Sequence, residues 1–253
     1  MSLRDALKTR PCPVQSTLLY GPPGTGKTSF AAGAPDSYYF DVEGSLGPLA
    51  ETVPHDKPTG FEDLMTKLTA IYKDPTGIGS VVIDTLDAVM PLIDARICEL
   101  RGVSNVADLN KKDGYGSSGA AQAQQMLRVM NAMEAIASKG VWPIMLAHSA
   151  VKTLDNPLGE SVASIEPKFP KPVNAVIIEK ARIIMYSSTR KMTKEVDDGA
   201  RSIAVTADPT CYLTVQPSGA IIAKNQYNLP NGIIRTEWPA FIAAFNKAKG
   251  INS

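Results

Sequence analysis

The chain is poor in the residues that build cross-links and metal cages. Its 253 residues include three cysteines and two histidines. Cys12, Cys98 and Cys211 stand far apart without metal-ligand spacing, which argues against a disulfide framework or a zinc site. A sparse, odd set fits reduced thiols in a cytoplasm, the expected compartment. No run approaches the ~18–20 apolar residues of a membrane span, and Met1-Ser2-Leu3-Arg4-Asp5 has no signal-peptide apolar core; no membrane partner is expected. Charge of one sign is lacking too. The formal net charge is +1, so any anionic partner must be held by a local patch rather than by bulk attraction. No internal repeat, low-complexity tail or G-x-G-x-x-G appears. The length suits a single domain spanning 1–253, with a proline-flanked lead-in at 1–16 and a C-terminal helix and tail at 236–253.

Against these absences stands one dense motif. Gly21-Pro22-Pro23-Gly24-Thr25-Gly26-Lys27-Thr28 fits G-x-x-x-x-G-K-[ST], the phosphate-binding loop of P-loop NTPases. Thr17 to Tyr20 reads as a short buried strand before it, and Lys27 to Gly33 opens a helix behind it, as the motif requires. Glycines let backbone N–H groups turn towards phosphate oxygens, and a helix N-terminus adds partial positive charge. The expected nucleotide-binding set runs from Gly21 through Ser29, with ATP as ligand. Lys27 is expected on the β- and γ-phosphates and Thr28 on Mg²⁺.

The rest alternates strands and helices. Strands are predicted at 37–42, 80–84 and 141–147, and helices at 61–73, 85–101 (Pro91 in its first turn), 120–139 and 173–181. Polar loops are predicted at 102–119 and 149–172. Strands at 182–187 and 201–206 are expected to join through Asp197-Asp198-Gly199 as a C-terminal antiparallel hairpin, ahead of a last helix at 236–249. The pattern predicts an α/β fold with a mostly parallel central sheet flanked by helices. Ligands of such sheets sit at the C-terminal strand ends, where the phosphate loop, Glu43, Asp84 and His148 all fall.

Each of these has a chemical and a plain reading. Asp84 closes an apolar strand, where a carboxylate can hold Mg²⁺, although an Asp there also serves as a helix cap. Residue 85 is Thr, so the water-activating acid must come from elsewhere. Glu43, at the tip of the second strand, is the candidate, with Asp41 as substitute; the alternatives are an exposed loop Glu or a ribose-binding acid. His148 is either a γ-phosphate sensor or a structural histidine.

With these residues placed, the chain resembles the RecA-like P-loop ATPase core over residues 16–232. Within that superfamily it is similar to bacteriophage core-only members, including single-strand annealing and recombination proteins. The resemblance rests on the phosphate loop, Phe40-Asp41-Val42-Glu43, Ile83-Asp84-Thr85-Leu86, Gly114-Tyr115-Gly116, Ala147-His148, Asp155-Asn156-Pro157 and Ala223 to Pro230. It implies Glu43 as catalytic base and DNA contacts from Lys111, Lys112, Tyr115, Lys152, Lys168 and Lys171 in two loops. It further implies that Lys224 reaches a neighbouring subunit's γ-phosphate; the plain alternative is a solvated lysine. Gln226 departs from the pattern, standing where RecA proteins carry a second lysine. The implied function is Mg²⁺-dependent, DNA-stimulated ATP hydrolysis by a homo-oligomer, ring or filament, in phage recombination. Single-stranded DNA and a single-stranded DNA-binding protein are the implied partners, in the bacterial host cytoplasm. Two other readings stay open: a P-loop small-molecule kinase, and a helicase-loader-type module switched by ATP.

Overall fold

In the computed structural model, residues 14–154, 162–189, 192–194, 203–205, 210–230 and 234–250 are described. The Asp197-Asp198-Gly199 turn, the Asp155-Asn156-Pro157 stretch and most of the 1–16 lead-in lie outside them.

Nine strands form the main sheet. In chain order they are β1 (Thr17–Gly21), β2 (Ser37–Asp41), β3 (His55–Asp56), β4 (Ser80–Asp84), β5 (Trp142–Leu154), β6 (Val162–Pro167), β7 (Ile183–Thr189), β10 (Cys211–Thr214) and β11 (Ile234–Arg235). A separate antiparallel pair joins β8 (Met192–Lys194) to β9 (Ile203–Val205). The helices are α1 (Lys27–Ala32), α2 (Phe61–Lys73), α3 (Met90–Arg101), α4 (Leu109–Lys112), α5 (Ser117–Ala137), α6 (Lys171–Lys180) and α7 (Trp238–Ala248). The sheet runs β11-β10-β7-β1-β5-β4-β2-β3, with β6 against the outer half of β5. From β3 to β7 along this order the neighbours are parallel. Antiparallel pairing joins β10 to β7 and β11 to β10 in the C-terminal part of the chain, and β6 to β5.

The alternation of side chains explains the layering. Leu18 and Tyr20 of β1, Val81 and Ile83 of β4, and Met145 and Ala147 of β5 point to one face, where α2, α3, α5 and α6 pack. Leu19, Val82, Ile144 and Leu146 point to the other, under α1 and α7. Strands buried on both faces read as continuous apolar runs, as these do. On the second face Phe30, Trp142, Trp238, Phe241 and Phe245 make edge-on and tilted contacts at 5.1–6.1 Å, and these pin α7 against the helix that follows the phosphate loop.

Four segments differ from the sequence reading. The helix expected from Thr85 starts at Met90, because Leu86 N–H is spent on Leu146 O (2.7 Å) and holds the chain against the sheet. Pro91 still falls in its first turn, where a missing N–H costs nothing. The predicted 102–119 loop contains α4, and α5 begins at Ser117 behind Gly116, whose φ of 87° suits glycine. The predicted 149–172 loop is largely a hairpin: β5 runs on past His148 to Leu154 and pairs with β6. Finally, 203–205 pairs with Met192–Lys194, and the antiparallel partner of β7 is β10.

Candidate functional site

The parallel register sets the functional residues level with one another. Gly21 lies opposite His148 between β1 and β5, and Asp41 opposite Asp84 between β2 and β4. β5 separates the phosphate-loop strand from the Asp84 strand, so His148 stands between them.

The loop itself is built by close approach. A Cβ at Gly21 would collide with the Ser187 carbonyl. Gly24 and Gly26 hold φ of 76° and 75°, a region that favours glycine. The Thr25 hydroxyl donates to Pro22 O (2.9 Å), and Ser187 braces the loop from β7 by donating to Thr25 O (2.8 Å). Ser187 also shares a hydrogen bond with Thr236 (2.9 Å), which abuts Gly26. Pro22, Pro23, Gly24 and Thr25 form the turn before α1, while Lys27, Thr28 and Ser29 form its first turn.

Lys27 Nζ donates to Gly21 O (3.0 Å) and Pro22 O (2.8 Å), so the ammonium lies across the mouth of the loop. Burial lowers its pKa, against the pull of the Asp84, Asp87 and Glu43 carboxylates. The Thr28 hydroxyl donates to Asp84 Oδ2 (2.8 Å). Asp84 is 1% exposed; burial pushes its carboxyl up to about 6, the Thr28 hydroxyl opposes this, and the Glu43 and Asp41 carboxylates add to it. A buried carboxylate beside a hydroxyl and two further acids, set against the single Lys27 ammonium, is a donor set still short of positive charge. Thr28 and Asp84 thus suit a hard divalent cation such as Mg²⁺.

Glu43 reaches the same edge. Its N–H and that of Val42 both donate to Asp84 O (3.1 and 2.9 Å). Asp41 Oδ1 accepts from Gly44 and Ser45 N–H, both at 2.9 Å, and so folds the turn that carries Glu43. Asp41 is occupied in positioning; Glu43 is the acid aimed outward, with Oε2 accepting from the Thr85 hydroxyl (3.2 Å). His148 Nε2 lies 3.9 Å from Glu43 Oε1.

Lys27, Thr28, Asp84, Glu43 and His148 therefore converge. Lys224 does not join them. Its backbone bridges Ile184, and its ammonium donates to Ile178 O (3.0 Å) and Glu179 O (2.9 Å) at the end of α6. Burial and Arg182 lower its pKa. Of the DNA-loop candidates, Lys111 and Lys112 lie on α4, and Tyr115 is fully exposed in the turn before α5. Lys152 pairs with Glu166 across the hairpin (2.8 Å). Lys168 follows β6, and its N–H donates to His148 O (2.9 Å). Lys171 opens α6.

Sequence reasoning missed Asp87, Ser187 and Thr236. Asp87 has no spacing signature, since its partner lies sixty-one residues away. Ser187 and Thr236 are brought to the phosphate loop by the sheet order alone.

A glycine loop wrapped by backbone, a lysine across it, a Thr–Asp cation pair and an outward acid at the C-terminal edge of a parallel sheet define a P-loop NTPase. A family model described as an AAA domain matches residues 14–227. The chain belongs to that AAA-domain family. Comparison with curated proteins gives no match. No described helix is long and apolar enough to cross a membrane.

Proposed function

We propose that this chain is a Mg²⁺-dependent ATPase of the RecA-like kind, acting in phage DNA recombination by binding single-stranded DNA and promoting annealing or strand exchange. The observation that carries the reading is the convergence of Glu43 with Lys27 and the Thr28–Asp84 pair at one sheet edge. In the reaction, a water oxygen bonds to the γ-phosphorus while the bond to the β,γ-bridging oxygen breaks and its electron pair leaves with ADP. Glu43 accepts the water proton, and Lys27 meets the charge that develops on the phosphate oxygens. Mg²⁺ on Thr28 and Asp84 would supply Lewis-acid neutralisation of the β- and γ-phosphate oxygens.

Two features support the DNA half. Tyr115, framed by Gly114 and Gly116, offers an exposed ring for stacking, with Lys111 and Lys112 close in sequence. Lys168 is tied through its backbone to His148, which links the second basic segment to the nucleotide edge. The active species is read as a homo-oligomer, ring or filament, with a single-stranded DNA-binding protein as accessory partner. Lys224 enters a neighbour's site in this reading only after leaving the α6 carbonyls.

ATP turnover with and without single-stranded DNA, alongside a mobility-shift assay and size-exclusion mass, tests the reading. Turnover that rises with DNA, a shifted complex and a multimeric mass support it. Turnover indifferent to DNA with no shifted complex overturns the recombination role and leaves an ATPase. Absence of heat on mixing with Mg–ATP overturns the whole.

A further inference from the structure

Asp87 lies just after the Asp84 strand, in the short 3₁₀ turn that precedes α3. Both of its carboxylate oxygens go to one residue: Oδ1 accepts the backbone N–H of His148 (3.0 Å), and Oδ2 lies 2.8 Å from His148 Nδ1. The pair is mostly shielded, with side-chain exposures of 16% for Asp87 and 23% for His148. An ionised carboxylate only accepts, so this contact places the hydrogen on Nδ1. In the neutral ring, Nε2 then carries a lone pair. That lone pair faces Glu43 Oε1 at 3.9 Å, too far for a direct hydrogen bond but spanned by one water donating to both groups.

Resting on the ATPase reading above, we infer that Asp87 is a positioning residue. It fixes the tautomer and aim of His148 so that Nε2 and Glu43 together orient the attacking water. The two O–H bonds of that water go to Nε2 and to the Glu43 carboxylate, and its free lone pair faces the γ-phosphorus. As the O–P bond forms and the β,γ-bridging bond breaks, the proton passes to Glu43. His148 orients and takes no proton. This assignment differs from a phosphate sensor, which needs Nε2 as a donor.

Two measurements test it. The first is ¹⁵N spectroscopy of the histidine rings in the wild-type protein at pH 8. With two histidines in the chain, a His55→Gln variant assigns the signals. The expected spectrum has His148 protonated at Nδ1 and bare at Nε2; protonation at Nε2, alone or with Nδ1, overturns the inference. The second is steady-state kinetics of Asp87→Asn, whose amide can donate to Nδ1 and favour the opposite tautomer. The expected result is a fall in kcat of about 10²-fold, with KM for ATP kept within about threefold and the proton moved to Nε2. A kcat within twofold of wild type, with the tautomer switched, overturns the role. If the wild type turns over no ATP, the proposed function falls, while the wild-type spectrum still decides whether Asp87 sets the tautomer.

Discussion

Asp84 faces two further acids from a position that is 1% exposed, and the cost of that placement is measurable. Its folded pKa of about 6 lies above the ordinary 3.8, so the folded state holds the proton more tightly than the unfolded chain does. The penalty is absent below about pH 4, grows as pH rises, and is complete above about pH 6. In EDTA at pH 8, Asp84→Asn is therefore expected to be more stable than wild type by about 1–3 kcal/mol. The gap should close by pH 4 in urea melts. Added Mg²⁺ should stabilise the wild type and leave the variant unmoved. Glu43 makes a different prediction, because it is aimed outward, its carboxylate accepting from the Thr85 hydroxyl and lying at longer range from His148. Glu43→Gln keeps the shape and removes the base. Turnover should fall by at least ~10²-fold, with Mg–ATP affinity by calorimetry within about twofold. An unchanged rate would move the base elsewhere.

At the scale of elements, the two parts of the nucleotide site differ in how far they could be read. The phosphate loop is contiguous, and its glycines announce themselves by spacing, so Gly21 to Thr28 was legible outright. The placement of Asp84 and Glu43 was legible because Asp84 ends one apolar strand and Glu43 stands two residues past the end of another, and strand ends of a parallel sheet share an edge. The β5–β6 hairpin was not. Ser149, Ala150, Val151 and Lys152 run polar, apolar, apolar, polar, without the strict alternation of a half-buried strand, so they read as a polar loop until β6 pairs with them. β10 escaped notice because Cys211–Thr214 is four residues long, and its pairing to β7 is set by sheet order. The aromatic seam between α1 and α7 was equally hidden, since Trp142 and Phe245 are about a hundred residues apart. It makes its own prediction. Phe241 is fully buried among Phe30, Trp142, Trp238 and Phe245. Phe241→Ala should cost about 3–5 kcal/mol in chemical denaturation. A loss below about 1 kcal/mol would mean that α7 is not seated on α1 in solution.

For the whole molecule, a formal net charge of +1 decides how DNA must be held if it is held at all. A chain this close to neutral gains little from its overall field, so affinity has to come from a few lysines that each neutralise a phosphate. The exposed candidates divide into two groups: Lys111 and Lys112 on α4, and Lys168 and Lys171 beside the base of the β5–β6 hairpin. Lys152 is a weaker contributor, because its ammonium already meets Glu166 at 2.8 Å. Binding to a short single strand, measured against salt concentration, should therefore give a log–log slope built from about 0.7 per lysine engaged. Replacing Lys168 and Lys171 with alanine should flatten that slope by about 1.4, and Lys152→Ala should leave it within about 0.3. Tyr115→Ala belongs to another class, since a stacked ring releases no counterion: affinity should drop about 5–100-fold at constant slope. If all of these variants keep the wild-type slope and affinity, the two basic segments are ordinary solvated surface, and the nucleotide edge serves some other partner.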